Sequence, residues 1–275
     1  MNSPTLLLVD NGSTRPAATL SLRRIARNLS ERIGQTVYPV SLQHADRVSA
    51  DQLDGKGAST LTLFLREQLA EGQREFVVLP LFFGRSRALT SFIPEQAAEL
   101  AQSFGDFRLI QADVLSPLPG GDPRLAEILA DNVKKCTGQS AVPPDHVIVV
   151  DHGSPIPEVT AVREAAAATL KKRLPASVRL TEAVMERRSG ASYDFNGQLL
   201  QQALAAAAAA GHRHVVLAMM FISPGSHAGP GGDIGTICAK AMAFHPGLEV
   251  CVSSLVGEHP MLIDILQDRL AAAIA

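Results

Sequence analysis

The sequence predicts an α/β protein made of two similar lobes, each a mainly parallel sheet flanked by helices in a flavodoxin-like order. In both halves of the 275-residue chain, short apolar runs alternate with helical patterns, which favours parallel strands joined by right-handed crossovers. The turn Asp-Asn-Gly-Ser at residues 10–13 returns as Asp-His-Gly-Ser at residues 151–154. Hydrophobic residues make up 46% of the chain, which is enough to bury a large core.

The first half begins with a continuously apolar strand at residues 6–9, the type that is buried on both faces of a parallel sheet. A helix at 17–33 follows, because Leu20, Ile25, Leu29 and Ile33 share one face. By the same criteria, further strands are predicted at 37–42, 76–83 and 107–114, and further helices at 59–71, 94–102 and 123–135.

The second half repeats this order. Strands are predicted at 146–150, 178–185, 215–221 and 248–253, and helices at 157–174, 195–210, from about 234, and at 260–274. The polar segment 136–145, which contains Pro143 and Pro144, is the predicted linker. The predicted domains are therefore residues 1–138 and 145–275.

Composition excludes several classes of protein. Charged residues are 19% of the chain and the net charge is −2, which is not the basic surplus of a nucleic-acid-binding protein. Three distant cysteines do not predict a disulfide framework. The amino terminus lacks the pattern of a signal peptide, and no apolar run reaches the ~18–20 residues of a membrane span. We therefore expect a cytoplasmic protein with no nucleic-acid or membrane partner.

Two histidines follow strands of the second half at their carboxyl ends, where open parallel sheets bind ligands. His152 ends the first strand, and His227 lies in the Gly/Pro-rich loop after the third. Two imidazoles at one edge can hold a divalent metal or accept protons near neutral pH. A structural role for each histidine is the alternative.

Polar residues near these histidines are further candidates. Glu186 follows a strand and could assist a metal ion in transit, or be a solvated charge. Arg187 and Arg188 could pair with an anionic substrate, or lie in an ordinary loop. Ser154 stands near a helix start, whose N–H groups could bind a carboxylate or phosphate. The chain has no GxxxxGK[ST], GxGxxG or GxSxG motif, so nucleotide binding and serine hydrolysis are not indicated.

These residues resemble the class II chelatases of the CbiX and sirohydrochlorin ferrochelatase type. The resemblance rests on the His-Gly-Ser at residues 152–154, on the loop from Phe221 through His227 to Asp233-Ile234, and on the Ala-Val-Met-Glu at residues 183–186. It covers nearly the whole chain as two chelatase-like halves.

The resemblance implies ATP-independent insertion of cobalt or ferrous iron into sirohydrochlorin or a related tetrapyrrole, as in cobalamin and siroheme biosynthesis. It implies that His152 and His227 are metal ligands and proton acceptors, with Glu186 as a further ligand or base. Ser154, Arg187 and Arg188 would bind substrate carboxylates. The metal would be a substrate, with no permanently bound cofactor.

The first half departs from the family pattern, since Asn11 stands where the histidine would be. Arg85 and Arg87 lie near the position of the second histidine, and could hold substrate carboxylates. We therefore expect the active site in the second half, with the tetrapyrrole in a cleft between two lobes. A monomer is expected, because a fused duplication can supply this cleft by itself.

Two alternatives remain at this point. The chain could be a non-catalytic metal- or tetrapyrrole-binding protein on a chelatase-like fold, as the missing first-half histidines suggest. It could also be an unrelated α/β enzyme whose Gly-rich loop at 225–232 binds a phosphorylated ligand.

Overall fold

The computed structural model describes residues 3–138 and 142–275, which form two compact units. Unit 1 consists of Met1–Pro117 together with Pro260–Ala275, and unit 2 consists of Leu118–His259. Each unit is a parallel sheet with helices, as predicted from the sequence.

Unit 1 contains a four-stranded sheet. Its strands are β1 (Thr5–Asp10), β2 (Val37–Ser41), β3 (Glu75–Pro80) and β4 (Arg108–Gln111), in the order β2-β1-β3-β4. All neighbouring pairs are parallel. The helices of this part of the chain are α1 (Pro16–Ile33), α2 (Leu61–Ala70) and α3 (Ile93–Phe104).

Unit 2 contains a five-stranded sheet. Its strands are β5 (His146–Asp151), β6 (Arg179–Val184), β7 (Gln198–Leu199), β8 (His214–Met219) and β9 (Glu249–Val252), in the order β7-β6-β5-β8-β9. These neighbours are also parallel. The helices between them are α5 (Pro157–Lys171), α6 (Leu200–Ala209) and α7 (Asp233–Phe244).

The central strands β1 and β5 are buried because their apolar side chains face helices on both sides of the sheet. Leu7, Leu8 and Val9 of β1 are fully buried, as are Val147 to Val150 of β5. A continuously apolar run is the sequence signature of such a strand. The turns that follow β1 and β5 therefore begin from strands that are held in place by burial.

The last helix of each repeat lies in the unit built around the other repeat's sheet. Helix α4 (Pro123–Gly138) packs against α5 and β8 in unit 2, whereas α8 (Met261–Ile274) packs against α1 and β3 in unit 1. The predicted domains 1–138 and 145–275 follow the sequence repeat, so the compact units differ from them in these two helices.

The prediction of a helix over 195–210 is wrong at its beginning. Residues 191–196 form a 3₁₀ helix, and the short strand β7 then pairs with β6 before α6 begins at Leu200. Gly197 has φ = 79°, a conformation that interrupts helical continuation, and the Asn196 side chain is fully buried. The alanine run that follows predicted the helix itself correctly.

A disulfide joins Cys136 of α4 to Cys251 of β9, contrary to the expectation from the cysteine pattern. The two cysteines are 115 residues apart in sequence, but α4 packs beside β9 and brings their Cα atoms to 6.2 Å. Cys238 is free and buried. The predicted linker, 136–145, begins within α4, and its residues 139–141 lie outside the described residues. No helix among the described residues has the length and apolarity to cross a membrane.

Candidate metal centre

Three neighbouring strands of the unit 2 sheet end at one cluster of side chains. His152 directly follows the central strand β5, Glu186 follows β6, and His227 lies in the loop between β8 and α7. The ligand atoms of these three residues all lie within 4.8 Å of one another, and no other such group of three occurs among the described residues. The structure thus brings together the three residues for which metal binding was predicted.

The two imidazoles face each other across this cluster. Their ring centroids are 4.9 Å apart and their planes are inclined by 64°. The Nε2 atom of His227 lies 3.3 Å from Oε1 of Glu186, while its Nδ1 atom lies 2.7 Å from Oδ2 of Asp233. Asp233 therefore holds the His227 ring with Nε2 directed toward Glu186.

The cluster has the donor set of a site for a first-row divalent metal. It offers two imidazole nitrogens and one carboxylate, and three ligands leave further coordination positions open. His152 and Glu186 are exposed, whereas the His227 side chain is only 14% exposed. A metal ion held here would be reachable from solvent on the side of His152 and Glu186.

The turn that carries His152 depends on a glycine. Gly153 has φ = 91°, and a Cβ atom there would lie 1.9 Å from the carbonyl oxygen of Glu186. In this close approach the Glu186 N–H donates a 2.9 Å hydrogen bond to the carbonyl of His152. The glycine therefore allows the backbones that carry two of the three ligands to lie against each other.

Two polar groups outside the set of predicted site residues contact His227 or the turn that carries His152. Asp233 is the first residue of α7, six positions after His227, and its place in the Asp233-Ile234 pair of the family motif was its signal in the sequence. Arg163 of α5 is buried and donates a 2.9 Å hydrogen bond to Asp151, the residue before His152. Burial raises the pKa of the Asp151 carboxyl, and the Arg163 guanidinium acts in the opposite direction.

Ser154, Arg187 and Arg188 line a cavity of about 190 Å³ together with His152 and Glu186. This volume is smaller than the about 300–1,000 Å³ of pockets for drug-sized ligands, and it can take an ion or one acidic side arm of a larger ligand. The Ser154 hydroxyl accepts a 3.0 Å hydrogen bond from the Ile156 N–H, which stabilises the turn that leads into α5.

Both arginines of this cavity also contact the 3₁₀ segment 191–196 or the glycine that follows it. Arg187 donates a hydrogen bond to the Gly197 carbonyl and lies 3.2 Å from Asp194. The Arg188 guanidinium lies 5.7 Å from the centre of the Tyr193 ring. Binding of substrate carboxylates by these arginines stays a prediction.

Arg85 and Arg87 belong to unit 1, whereas the metal cluster belongs to unit 2. The Arg85 guanidinium makes hydrogen bonds of 3.1–3.3 Å to the Asp113 carboxylate and lines a cavity of about 620 Å³ that also includes Arg269. Arg87 is exposed. Their predicted contact with substrate is not tested by this arrangement.

The Gly-rich loop around His227 is folded on itself. Gly229 donates to the Gly225 carbonyl, Gly232 to that of Gly229, and Ile234 to that of His227. Because these N–H groups are engaged within the loop, they are not directed at a ligand. This arrangement weighs against the alternative in which the loop cradles a phosphate.

The histidines at the other end of this sheet have local partners. At the amino end of β8, His212 and His214 lie 3.4 Å from Asp145 and 3.1 Å from Glu249, respectively. Burial lowers the pKa of the neighbouring His146 to about 4, so it is neutral at pH 7. These residues occupy the end of the sheet opposite to the metal cluster.

Comparisons with known proteins agree with the duplicated α/β fold. The sequence model of the CbiX family matches residues 5–136 and 146–273, which is most of the chain in two copies. A comparison with curated protein sequences found no match.

Among solved structures, SirB from Bacillus subtilis with Fe³⁺ is 16% identical, with a TM-score of 0.70 over 100% of this chain and 96% of that chain. The sirohydrochlorin chelatase SirB from Bacillus subtilis subspecies spizizenii in complex with cobalt is 14% identical, with a TM-score of 0.69 over 99% and 95%. CbiX, described as the terminal enzyme for biosynthesis of siroheme in denitrifying bacteria, is 17% identical, with a TM-score of 0.57 over 98% and 100%. At these identities the likeness shows a shared fold.

Proposed function

The chain belongs to the CbiX family, and from this premise we propose that it inserts a divalent metal, Co²⁺ or Fe²⁺, into sirohydrochlorin or a related tetrapyrrole without ATP. One observation carries the proposal above the others. His152, Glu186 and His227 converge from three adjacent strand ends into one exposed cluster with the donor set of a first-row metal site.

The proposed reaction begins with capture of the metal by these side chains. The three ligands leave open coordination positions, which the pyrrole nitrogens of the macrocycle would then occupy. Insertion releases two protons from the ring N–H groups, and an imidazole or the Glu186 carboxylate accepts them. Exposure of His152 and Glu186 supports this role, since both the macrocycle and water have to reach the site.

The ligand set also suits release of the metal. A resident structural metal is normally enclosed by four ligands, whereas a transferred ion needs fewer bonds to its carrier. The hydrogen bond from His227 to Asp233 keeps the His227 imidazole in place while the more exposed His152 and Glu186 release the metal ion to the macrocycle. Solved structures of the similar SirB proteins contain Fe³⁺ and cobalt, which supports either metal as the substrate.

The proposal is tested by measuring metallation of sirohydrochlorin spectroscopically under anaerobic conditions, with Co²⁺ and Fe²⁺ in turn. We expect His152→Ala and His227→Ala to lower kcat/KM by about 10²-fold or more, because each removes a ligand and a proton acceptor. Glu186→Gln, which keeps the shape but removes the charge, should also slow insertion. His212→Ala, at the opposite end of the sheet, is the matched control and should keep the wild-type rate.

Two results would overturn the proposal. Stoichiometric binding of metal or tetrapyrrole with no metallated product would identify a non-catalytic binding protein. Insertion at the wild-type rate by His152→Ala would show that the reaction takes place elsewhere.

A further inference from the structure

A buried arginine lies beneath the turn that presents His152. Arg163 is 2% exposed, and its guanidinium donates three 2.9 Å hydrogen bonds. Nη1 donates to the Asp151 carboxylate, Nε to the Glu182 carboxylate and Nη2 to the Asn196 carbonyl. The three bonds come from three different nitrogens of the planar guanidinium, and the single nitrogen of an ammonium group cannot lie next to all three acceptors at once.

Two of these acceptors hold the backbone on either side of His152. The Asp151 carboxylate accepts a 3.0 Å hydrogen bond from the Gly153 N–H. The fully buried Asn196 side chain accepts from the Ser154 N–H and donates to the Ser154 carbonyl, both at 2.9 Å. The chain is thus tethered before and after the histidine. Among the described residues, the imidazole's only hydrogen-bond contact is a 3.3 Å one with the Gly153 carbonyl.

The first repeat contains the same turn without this arginine. Asp10 corresponds to Asp151, and the residue twelve positions later is Leu22 in place of Arg163. Oδ1 of Asp10 is buried with no hydrogen-bond partner among the described residues. Nevertheless Gly12, at φ = 84°, makes the same close approach to the next segment as Gly153 does.

The turn therefore forms in both repeats, but the guanidinium network accompanies only the copy that carries the histidine. A requirement of the turn's fold alone does not account for this difference. From this difference between the repeats we propose that Arg163 is a positioning residue for the metal centre. Through Asp151 and Asn196 it fixes the backbone of His152. It thereby sets the position of the His152 imidazole relative to Glu186 and His227.

This inference rests on the proposed metal site. Groups that orient metal ligands typically change metal affinity by 10- to 100-fold when they are removed. Because the Arg163 side chain is not itself among the ligands, its loss should weaken binding without abolishing it.

The test is titration of the whole protein with Co²⁺ in the absence of tetrapyrrole, followed through the visible d–d absorption of the bound ion. The double variant Arg163→Leu/Asp151→Asn reproduces the arginine-free pattern of the first repeat without leaving Asp151 as an unpaired charge. We expect its Kd for Co²⁺ to rise 10- to 100-fold, with a shifted d–d spectrum.

A second variant keeps the test decisive if the double variant does not fold. Arg163→Lys retains the buried positive charge but cannot reach all three acceptors. We therefore expect a smaller, severalfold loss of Co²⁺ affinity and a d–d spectrum between those of the wild type and the double variant. Leu170→Ala, in the same helix and fully buried, is the control for general destabilisation and should bind Co²⁺ as the wild type does.

Wild-type affinity and spectrum in either folded arginine variant would overturn the positioning role while leaving the metal site intact. An equal loss of affinity in Leu170→Ala would overturn it as well, by showing that lowered stability alone explains the effect. If the wild-type protein binds no Co²⁺, the proposed metal site is wrong and the role of Arg163 falls with it.

Discussion

Asp10 and Asp151 occupy the same place in the two repeats but have different neighbours. Asp151 is paired with the Arg163 guanidinium, whereas Oδ1 of Asp10 is buried and has no hydrogen-bond partner in the described part of the chain. Burial raises the pKa of Asp10 from 3.8 to about 6, against hydrogen bonds from Ser41 and Gly12 that lower it. At this position the first repeat keeps an aspartate whose ionised form is less stable in the folded protein than in the unfolded chain.

This difference predicts a pH-dependent stability. A carboxyl whose pKa is raised in the folded state stabilises the fold only while it is protonated. Its contribution to the free energy of unfolding is complete below about pH 4, falls between pH 4 and 6, and is lost above pH 6. Asp10→Asn should therefore raise the free energy of unfolding at pH 7.5 by up to about 3 kcal/mol, and change it little at pH 4. Denaturant titrations at both pH values measure this.

The exposed Asp106→Asn is the control, and should leave stability unchanged at both pH values. An equal effect of Asp10→Asn at pH 4 and pH 7.5 would show that its carboxyl does not titrate between them.

At the scale of elements, the strand-to-helix turn is the unit that this protein uses twice. In both copies a glycine with positive φ follows the residue at the position of the histidine, and a helix with proline in its first turn comes next. The backbone of this glycine lies against a carbonyl oxygen of the segment that follows the next strand, that of Gln43 for Gly12 and that of Glu186 for Gly153. A side chain on the glycine would collide with this oxygen. The two turns therefore have the same backbone arrangement, which carries Asn11 in the first repeat and His152 in the second.

We predict that Gly153→Ala disrupts the metal cluster. The new Cβ would lie 1.9 Å from the Glu186 carbonyl oxygen, so the segment that carries Glu186 has to move. We expect at least a tenfold loss of Co²⁺ affinity in a titration, together with destabilisation of more than about 1 kcal/mol.

Gly211→Ala separates the two causes of this effect. Gly211 has φ = 89°, but a Cβ there meets nothing within 4 Å, so the variant carries the backbone strain without the collision. It should be destabilised and still bind Co²⁺ normally. Unaltered Co²⁺ affinity in Gly153→Ala would contradict the proposed close packing of the two ligand segments.

At the scale of the whole molecule, unit 2 is closed by the bond between Cys136 and Cys251. A crosslink over 115 residues limits the freedom of the unfolded chain, which stabilises the folded state by up to about 4–5 kcal/mol. We predict that a reducing agent lowers the midpoint of denaturant unfolding for the wild-type protein.

The double variant Cys136→Ala/Cys251→Ala is the matched control, since its unfolding should not respond to the reductant. Thiol titration of the unfolded, non-reduced wild type should count one group, that of Cys238. A count of three thiols would show that the disulfide is absent from the isolated protein.

Much of this organisation could be predicted from local sequence. The continuous apolar runs indicated β1 and β5, and the repeated turn indicated the duplication and the half that carries His152. The first part of 195–210 was predicted wrongly, since helix propensity does not register that Asn196 is buried under the His152 turn. Local patterns thus identified most elements, and failed where a tertiary contact overrode propensity.

The fold class and the doubled turn could be predicted from strand period, glycine and strand-end position, because these are local properties of the chain. The same local properties, together with the resemblance to a known family, selected the three candidate metal ligands. The three-dimensional structure was needed to show that Asp233 contacts His227 and that Arg163 binds Asp151 beneath the His152 turn. It was also needed to show that Cys136 meets Cys251, and which sheet receives α4 and α8. An amphipathic pattern tells which face of a helix is buried, but not against which sheet. Such pairings depend on distances between residues far apart in the chain, which folding alone establishes.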